Sequence, residues 1–344
     1  MATSLSLPPF NYLIINFLTF SLFFLFLIKK TNQHQNKRLF FFYGWLFGFG
    51  YFVTNLYWIS ISLTFDQNFK FLIPLATILI PAFLSIFYGL ISFLFIILRP
   101  KKIVSSFLVF SIIFGILEFI RGSILTGFPW NLIVYSFSNQ LEILSIISII
   151  GTYGFNLICI SLFTSPAILI LQKNKKNALV CLFFFITITF FYIYGSFYEK
   201  KFNNAIKESY DYKIRAIGSN IGIDRFYNNT DTEGIIEELI EISDPDTKEK
   251  IIFVWPEGIL PGVYQEELNS YNWLFEKNFN ENHLLIIGTN TEEINNGTKE
   301  YFNSFSIFDS QLNLLENYNK INLVPFVEFL PLEHILKGIG LKSL

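Results

Sequence analysis

Six apolar stretches, each long enough to cross a lipid bilayer, fill most of the first 200 residues of this chain. A membrane-spanning helix needs roughly 20 apolar residues, so each stretch predicts one transmembrane helix. The composition agrees, because 52% of the residues are hydrophobic and 43 are Phe, more than a water-soluble core would bury. The predicted spans are about 11–28, 39–63, 71–98, 103–120, 141–171 and 178–197.

Charged residues divide the chain into two parts. Residues 1–197 hold 12 basic and 3 acidic residues, whereas residues 198–344 hold 13 basic and 24 acidic ones. We therefore expect a membrane domain over 1–197, followed by a water-facing domain over 198–344. Nucleic-acid surfaces are basic, so an acidic second domain argues against a nucleic-acid partner.

The basic residues between the spans predict the orientation. Loops one, three and five hold ten Lys or Arg, whereas loops two and four hold only Lys70 and Arg121. Basic loops stay on the cytoplasmic side, so the second domain should face outward. In bacteria this predicts a multi-pass protein of the inner (cytoplasmic) membrane with its water-facing domain in the periplasm.

Strand-like and helix-like runs alternate in the second domain, which predicts an α/β layer with its site at the carboxyl ends of the strands. The Asn-rich stretch 290–297 is predicted as a surface loop. The predicted helices are 232–242 and 265–279, and the predicted strands are 213–217, 251–255, 284–288, 302–308 and 312–318, the last two forming a hairpin.

Two motifs in the second domain carry candidate chemistry. Glu257 follows Trp-Pro just past a predicted strand, because Pro cannot continue a central strand. Lys320 and Glu328 lie in the apolar run 318–331, where ionisable groups are costly unless they are paired. From these patterns alone, an ordinary loop Glu at 257 and structural ion pairs of Lys320 and Glu328 are favoured over catalytic roles.

The membrane domain has its own polar motif, in which Glu118 and Arg121 precede Thr-Gly-Phe-Pro-Trp130. Ionisable residues at membrane depth either have a function or pair with one another, so headgroup binding and an internal ion pair both stay open. Cys159 and Cys181 lie in apolar stretches and are predicted as buried small residues rather than as a disulfide or metal site.

The order of these motifs resembles the apolipoprotein N-acyltransferase family over essentially the whole chain. The motifs are Glu-x-x-Arg-Gly, Thr-Gly-Phe-Pro-Trp, Trp-Pro-Glu and Tyr-x-Lys-x-x-Leu-Val-Pro-Phe-x-Glu. The resemblance implies a nitrilase-like α-β-β-α sandwich after the helical membrane domain, incomplete at its C-terminus. The implied reaction transfers an acyl chain from a phospholipid to the N-terminal Cys amine of a diacylglyceryl apolipoprotein, through a thioester acyl-enzyme. It needs no cofactor and no metal.

The resemblance also implies residue roles. Glu257 falls on the general base, Lys320 on the oxyanion-stabilising Lys and Glu328 on a supporting carboxylate. The nucleophilic Cys of the family lies downstream of the Lys, so we expect this chain to end before it and to be inactive alone. The predicted substrate-binding residues are Asn303, Tyr227, Trp130, Glu118 and Arg121.

Some positions depart from the family pattern, and two other functions stay open. Val327 replaces the usual Gly, whereas Gly222 and Tyr227 stand where a Pro and a Trp are usual. A catalytically inactive paralogue that binds lipid or lipoprotein is one alternative. A membrane-tethered amidase or nitrilase is the other, and it is disfavoured because a tether needs one helix rather than six.

Overall fold

The chain folds into two compact units, Met1–Ile206 and Lys207–Leu344. The first unit is helical and the second contains a β-sheet. The last helix of the first unit continues to Asn203, past the predicted end at residue 197. Its final turn carries Lys200 and Lys201, which suit the negative end of a helix dipole. The computed structural model describes residues 1–33, 36–64, 67–124, 127–205, 210–219, 231–260, 262–295 and 298–323.

Within these residues, six helical segments are long and apolar enough to cross a membrane, which confirms the predicted polytopic helical region. The segments are Ile14–Thr31, Lys37–Ile61, Lys70–Leu98, Ile103–Ser123, Ile147–Leu171 and Lys175–Asn203. The α-helices of this unit are α1 (Ile14–Thr31), α2 (Lys37–Leu56), α3 (Ile73–Leu98), α4 (Ile103–Ser123), α5 (Leu141–Leu144), α6 (Ile147–Thr164), α7 (Pro166–Leu171) and α8 (Lys175–Asn203), and α5 lies outside the six segments.

Two of the apolar stretches are interrupted rather than continuous. The stretch 39–63 changes from α2 to a 3-10 helix at Tyr57–Thr64. The stretch 141–171 is divided into α5, α6 and α7. Gly151 adopts a left-handed φ of 71° within α6, and Pro166 begins α7. Gly tolerates this φ and Pro suits a first helical turn, so both breaks fall at residues that favour them.

The membrane unit is packed mainly by aromatic rings. Phe20, Phe24, Phe95, Phe110 and Phe114 are fully buried and in ring contact with one another or with neighbouring helices. Of the helices in this unit, α2 and α3 pack most closely against each other. A Cβ on Gly44 would stand 2.1 Å from the carbonyl oxygen of Tyr88 on α3. Small residues at helix interfaces allow this approach, which is common in membrane bundles.

The second unit contains a five-stranded sheet in the order β1-β2-β3-β4-β5. Strands β1 to β3 are parallel, and β3 to β5 are antiparallel. The parallel part follows from the intervening helices, and the antiparallel part from short connections. The strands are β1 (Lys213–Ala216), β2 (Ile251–Val254), β3 (His283–Asn295), β4 (Thr298–Phe308) and β5 (Leu314–Asn319).

Helices α9 (Thr232–Ser243) and α10 (Asn272–Asn278) pack against one face of this sheet. Ile251, Phe253 and Leu285 point to that face and are buried in the shared core. The predicted helix 265–279 consists of a 3-10 helix, Gln265–Tyr271, followed by α10. The predicted fold class is therefore confirmed, and within the described residues it comprises one sheet with helices on one side.

The prediction of a surface loop over 290–297 is wrong for residues 290–295. Strand β3 continues through this Asn-rich segment and pairs with β4, from Asn290 opposite Asn303 to Asn295 opposite Thr298. Asn is disfavoured in isolated strands, but pairing along a long hairpin outweighs that preference. Residues 296 and 297 lie outside the described part.

The turn between β4 and β5 is held by one carboxylate. Asp309 accepts hydrogen bonds from the backbone N–H groups of Gln311 and Asn313, at 2.8 and 2.9 Å, and from the Asn313 side chain at 2.8 Å. Partial burial raises the pKa of Asp309, but the hydrogen bonds from Asn313 and Gln311 outweigh burial and leave that pKa lowered. The charged form of Asp309 is therefore part of the folded turn.

Candidate functional site

The end of β2 positions Glu257. Trp255 is buried, its backbone N–H donates to the carbonyl of Ile286 on β3, and its indole N–H donates to Ser243 Oγ at 3.0 Å. Pro256 then ends the strand, because it has no N–H to donate. Glu257 therefore follows an anchored Trp at the carboxyl end of a central parallel strand, as the sequence predicts.

Two glycines allow the chain to turn at this point. Gly258 adopts a φ of 64°, which a residue with a side chain rarely adopts. Gly288 on β3 lies directly against the turn. A Cβ there would stand 2.8 Å from Glu257 Cα and 3.0 Å from the Pro256 carbonyl oxygen. The position of Glu257 thus depends on the absence of a side chain on the neighbouring strand.

Two other predicted site residues, Lys320 and Asn303, meet at the Glu257 carboxylate. Lys320 Nζ donates to Glu257 Oε1 at 2.9 Å, and Asn303 Nδ2 donates to the same oxygen at 2.5 Å. Within the described part of the chain, these are the hydrogen bonds made to this carboxylate. Both bonds are to Oε1, and the second oxygen, Oε2, makes no hydrogen bond with any described residue.

Strand pairing brings Lys320 and Asn303 together. The backbone N–H of Lys320 donates to the carbonyl of Asn303 at 2.8 Å, which continues the β4–β5 ladder one residue beyond β5. The Lys320 side chain is 28% exposed and that of Glu257 58% exposed. Exposed ion pairs contribute about 0–1 kcal/mol to stability, so the fold gains little from this one.

A second exposed Lys–Glu pair lies on the same sheet and offers a comparison. Lys299 on β4 donates to Glu292 on β3 at 2.7 Å, with the two side chains 59% and 26% exposed. The hydrogen bond and the charge of Glu292 raise the pKa of Lys299. This pair lies on the part of the β3–β4 hairpin that extends past the pairing of β2 with β3 at His283–Ile286.

In the membrane unit, Glu118 and Arg121 form a buried ion pair at the end of α4. Arg121 Nη2 lies 2.7 Å from Glu118 Oε2, and each residue is 1% exposed. The guanidinium carbon lies 5.2 Å from the centre of the Phe52 ring. This geometry is that of an internal ion pair, and headgroup binding by these two residues stays a prediction.

Arg121 also holds the loop that contains Trp130. Its Nη1 donates to the carbonyl of Phe128 at 2.8 Å and to that of Trp130 at 3.1 Å. The Trp130 ring is half exposed and lies 4.9 Å from the ring of Trp58. Arg121 therefore fixes a loop whose exposed Trp130 ring suits a membrane interface.

Two predicted site residues, Glu328 and Tyr227, lie outside the described part of the chain, as do Val327 and Gly222. Cys159 and Cys181 are buried in α6 and α8, so the expectation that both lie inside helices is confirmed. Among the described residues, no group of three or more His, Cys, Asp or Glu side chains is placed so that it could hold a metal ion.

Comparison with known proteins decides the family. Residues 1–165 match the family model described as the apolipoprotein N-acyltransferase N-terminal domain. Proteins named apolipoprotein N-acyltransferase match almost the whole chain, including one from Rhizobium leguminosarum bv. trifolii at 30% identity over 98% of this chain. The chain belongs to the apolipoprotein N-acyltransferase family. The resemblance carried by the sequence motifs is thereby confirmed, and the chain is that of a multi-pass membrane protein.

The match extends through the candidate site. Relatives of the same name from Brucella melitensis and Rhodopseudomonas palustris are 27% and 28% identical, and each match covers 99% of this chain. Glu257, Asn303 and Lys320 therefore fall within the part that is shared with these relatives. The chain spans 65–66% of the length of the three relatives described.

Proposed function

We propose that this chain acts in the transfer of an acyl chain from a phospholipid to the α-amino group of the N-terminal Cys of a diacylglyceryl apolipoprotein. The observation that carries the proposal is the hydrogen-bonded Glu257–Lys320 pair at the carboxyl end of β2, in a chain of this family. The names of the relatives support the reaction class, and the six membrane-spanning segments are consistent with a lipid acyl donor.

In the first half-reaction, Glu257 Oε2 takes the proton of a thiol. The thiolate attacks the carbonyl carbon of the phospholipid ester, a C–S bond forms, and Lys320 stabilises the oxyanion of the tetrahedral intermediate. The C–O bond then breaks, and the lysophospholipid leaves with the proton held by Glu257. The product of this step is a thioester acyl-enzyme.

In the second half-reaction, the α-amino group of the apolipoprotein attacks the thioester carbon. An amide bond forms, the C–S bond breaks, and the thiol recovers its proton from Glu257, which has taken one from the amine. Lys320 again faces the oxyanion. Because the lysophospholipid leaves before the amine reacts, and the acyl chain is held as a thioester between the two steps, the scheme is ping-pong.

The proposal requires a thiol from outside residues 1–344. Cys159 and Cys181 are both buried within membrane-spanning helices and therefore do not act as the nucleophile. Glu328 is proposed as a supporting carboxylate, and Tyr227 with Trp130 as substrate contacts. We also propose that the second unit faces the periplasm from the inner membrane, as the ten-to-two distribution of basic residues between the loops supports.

Label transfer tests this function. The protein expressed from its gene is mixed with a phospholipid carrying isotope-labelled acyl chains and with a diacylated lipopeptide that has a free N-terminal amine. We expect the label to appear in an amide on the lipopeptide, as resolved by mass spectrometry. Phospholipid binding without transfer would favour the inactive paralogue, and release of labelled free acid alone would favour a hydrolase.

A further inference from the structure

The helix-covered face of the sheet carries a patch of polar side chains instead of a purely apolar surface. Strands β3, β4 and β5 each place two hydroxyl or amide side chains there at alternate positions, since every second residue of a strand shares a face. The Ser and Thr side chains of the patch are at most 5% exposed. The six residues, called the polar ladder below, are Thr289, Thr291, Ser304, Ser306, Asn317 and Asn319.

Asn319 is the most connected member of the polar ladder. Its Oδ1 accepts hydrogen bonds from Ser304 Oγ at 2.7 Å, from Asn317 Nδ2 at 3.0 Å and from Thr291 Oγ1 at 3.4 Å. Its Nδ2 donates to Glu293 Oε1 at 2.9 Å. The side chain at the end of β5 is therefore held by groups from all three antiparallel strands.

This anchoring decides where the next residue points. Lys320 follows Asn319 directly, and neighbouring residues in extended backbone face opposite sides of a sheet. With Asn319 held on the helix-covered side, Lys320 is directed to the other side, where Asn303 and Glu257 meet it. A slip by one residue would exchange the two side chains.

The strand pairing alone does not secure this register along β5. The β4–β5 ladder contains a register shift between Ile307 and Phe308, close to where β5 begins. Hydrogen bonds to Asn319 therefore fix the end of the strand independently of its start.

We propose that Asn319 is a positioning residue that holds Lys320 Nζ against Glu257, and that Ser304 acts through Asn319. This inference rests on the proposed role of Lys320 in oxyanion stabilisation. It adds that the position of Lys320 Nζ is set by Asn319, whose side chain lies on the opposite face of the sheet from the reacting groups. A misplacement of about 1 Å costs up to roughly a hundredfold in rate at such sites.

The chain offers a closely matched control. Ser304 and Ser306 are both buried on β4, each bonds a Thr of β3 at 2.6 or 2.7 Å, and each donates to an Asn of β5 at 2.7 or 2.8 Å. Of these two serines, Ser304 alone bonds Asn319 directly, and Ser306 also donates to Gln265 Oε1 at 3.1 Å. If the polar ladder merely stabilises the sheet, Ser304→Ala and Ser306→Ala should behave alike.

The experiment measures thioester formation per folded molecule in the protein expressed from its gene. Asn319→Ala should slow it by about tenfold or more, and Ser304→Ala should slow it in the same direction. Ser306→Ala should change it by less than about twofold. Ser304→Thr keeps the hydroxyl group and should therefore keep the normal rate that Ser304→Ala loses. If Asn319→Ala does not fold, the comparison of Ser304→Ala with Ser304→Thr tests the inference instead.

A double-mutant cycle shows whether Asn319 acts through Lys320. In a Lys320→Ala background, Asn319→Ala should cause no further loss, because the group that it positions is gone. Equal losses for Ser304→Ala and Ser306→Ala, or an undiminished effect in the Lys320→Ala background, would overturn the inference while leaving the proposed function intact. A Lys320→Ala variant with an unchanged rate would instead overturn both.

Discussion

Adding one methyl group at Gly288 should displace Glu257 without touching any ionisable side chain. The Cβ of Gly288→Ala would stand 2.8 Å from Glu257 Cα, 3.0 Å from the Pro256 carbonyl oxygen and 3.2 Å from Gly258 N. All three atoms belong to the backbone, so no side-chain rotation relieves the contact. The turn must move by roughly half an ångström to reach ordinary van der Waals distance.

Two magnitudes follow from this displacement. Overpacking of this kind costs about 1–3 kcal/mol in the free energy of unfolding. A base moved by half an ångström from a hydrogen-bonded position should also slow thioester formation by roughly tenfold, as near-attack geometry is lost. Gly218→Ala is the control, because Gly218 is exposed and a Cβ there would meet no atom of the described residues within 4 Å.

The assay combines thermal unfolding in detergent with the rate of thioester formation per folded molecule. We expect Gly288→Ala to lose both stability and rate, and Gly218→Ala to lose neither. A Gly288→Ala protein with a normal rate would refute the close approach of β3 to Glu257 as a determinant of the site.

The remaining predictions concern the rest of the chain. Arg121→Met leaves the buried Glu118 carboxylate without its cation and should cost about 3–5 kcal/mol on chemical unfolding in detergent; a loss below about 1 kcal/mol would contradict a buried pair. Asp309→Ala should lower stability by at most about 1 kcal/mol at pH 7. Because the pKa of Asp309 is lowered in the fold, this difference should persist above pH ~4 and vanish as the pH falls further, and unfolding curves at pH 7 and pH 3 check the sign. Alkaline phosphatase fused after Asn203 should be active and fused near Lys175 inactive; the reverse result would contradict the proposed orientation.

The sequence predicts the helical and α/β parts well, because both depend on local patterns. Apolar runs longer than the bilayer thickness need no tertiary information, and Pro256 marks the end of a strand by chemistry alone. The break at Gly151 is different. It depends on a left-handed φ that Gly permits but does not require, so an apolar pattern over 141–171 gives no sign of it.

The site is predicted only in part. Glu257 and Lys320 are 63 residues apart, and motif resemblance identifies both, whereas their shared contact depends on sheet pairing. Asn303 is predicted as a substrate contact, and the structure places it on Glu257 Oε1; binding of substrate by Asn303 stays a prediction.

The polar ladder is not among the sequence predictions, although a signal for it exists. Thr289 and Thr291, and likewise Ser304 and Ser306, recur two residues apart and follow or precede the buried apolar positions Leu285, Ile287 and Phe308 on the same face. Buried hydroxyl groups need partners, so such alternation within a buried strand face predicts a hydrogen-bonded network. The Asn-rich composition of 290–295 indicated a loop and obscured this pattern.

The central claim is that Lys320 and Glu257 are catalytic and not a structural ion pair, and trapping of the acyl-enzyme thioester tests it most directly. The thioester is quantified by mass spectrometry alongside thermal stability for Lys320→Arg, Glu257→Gln and the matched control Lys299→Arg. Lys320→Arg keeps the charge, but a planar guanidinium does not fit the place of a compact ammonium group. We expect it to slow thioester formation by about 10²–10³-fold, with less than about 1 kcal/mol lost in stability, and Glu257→Gln to abolish the thioester. Lys299→Arg should leave the rate unchanged. A Lys320→Arg protein that accumulates thioester at the normal rate, or one whose loss of rate is explained by unfolding, would contradict the claim.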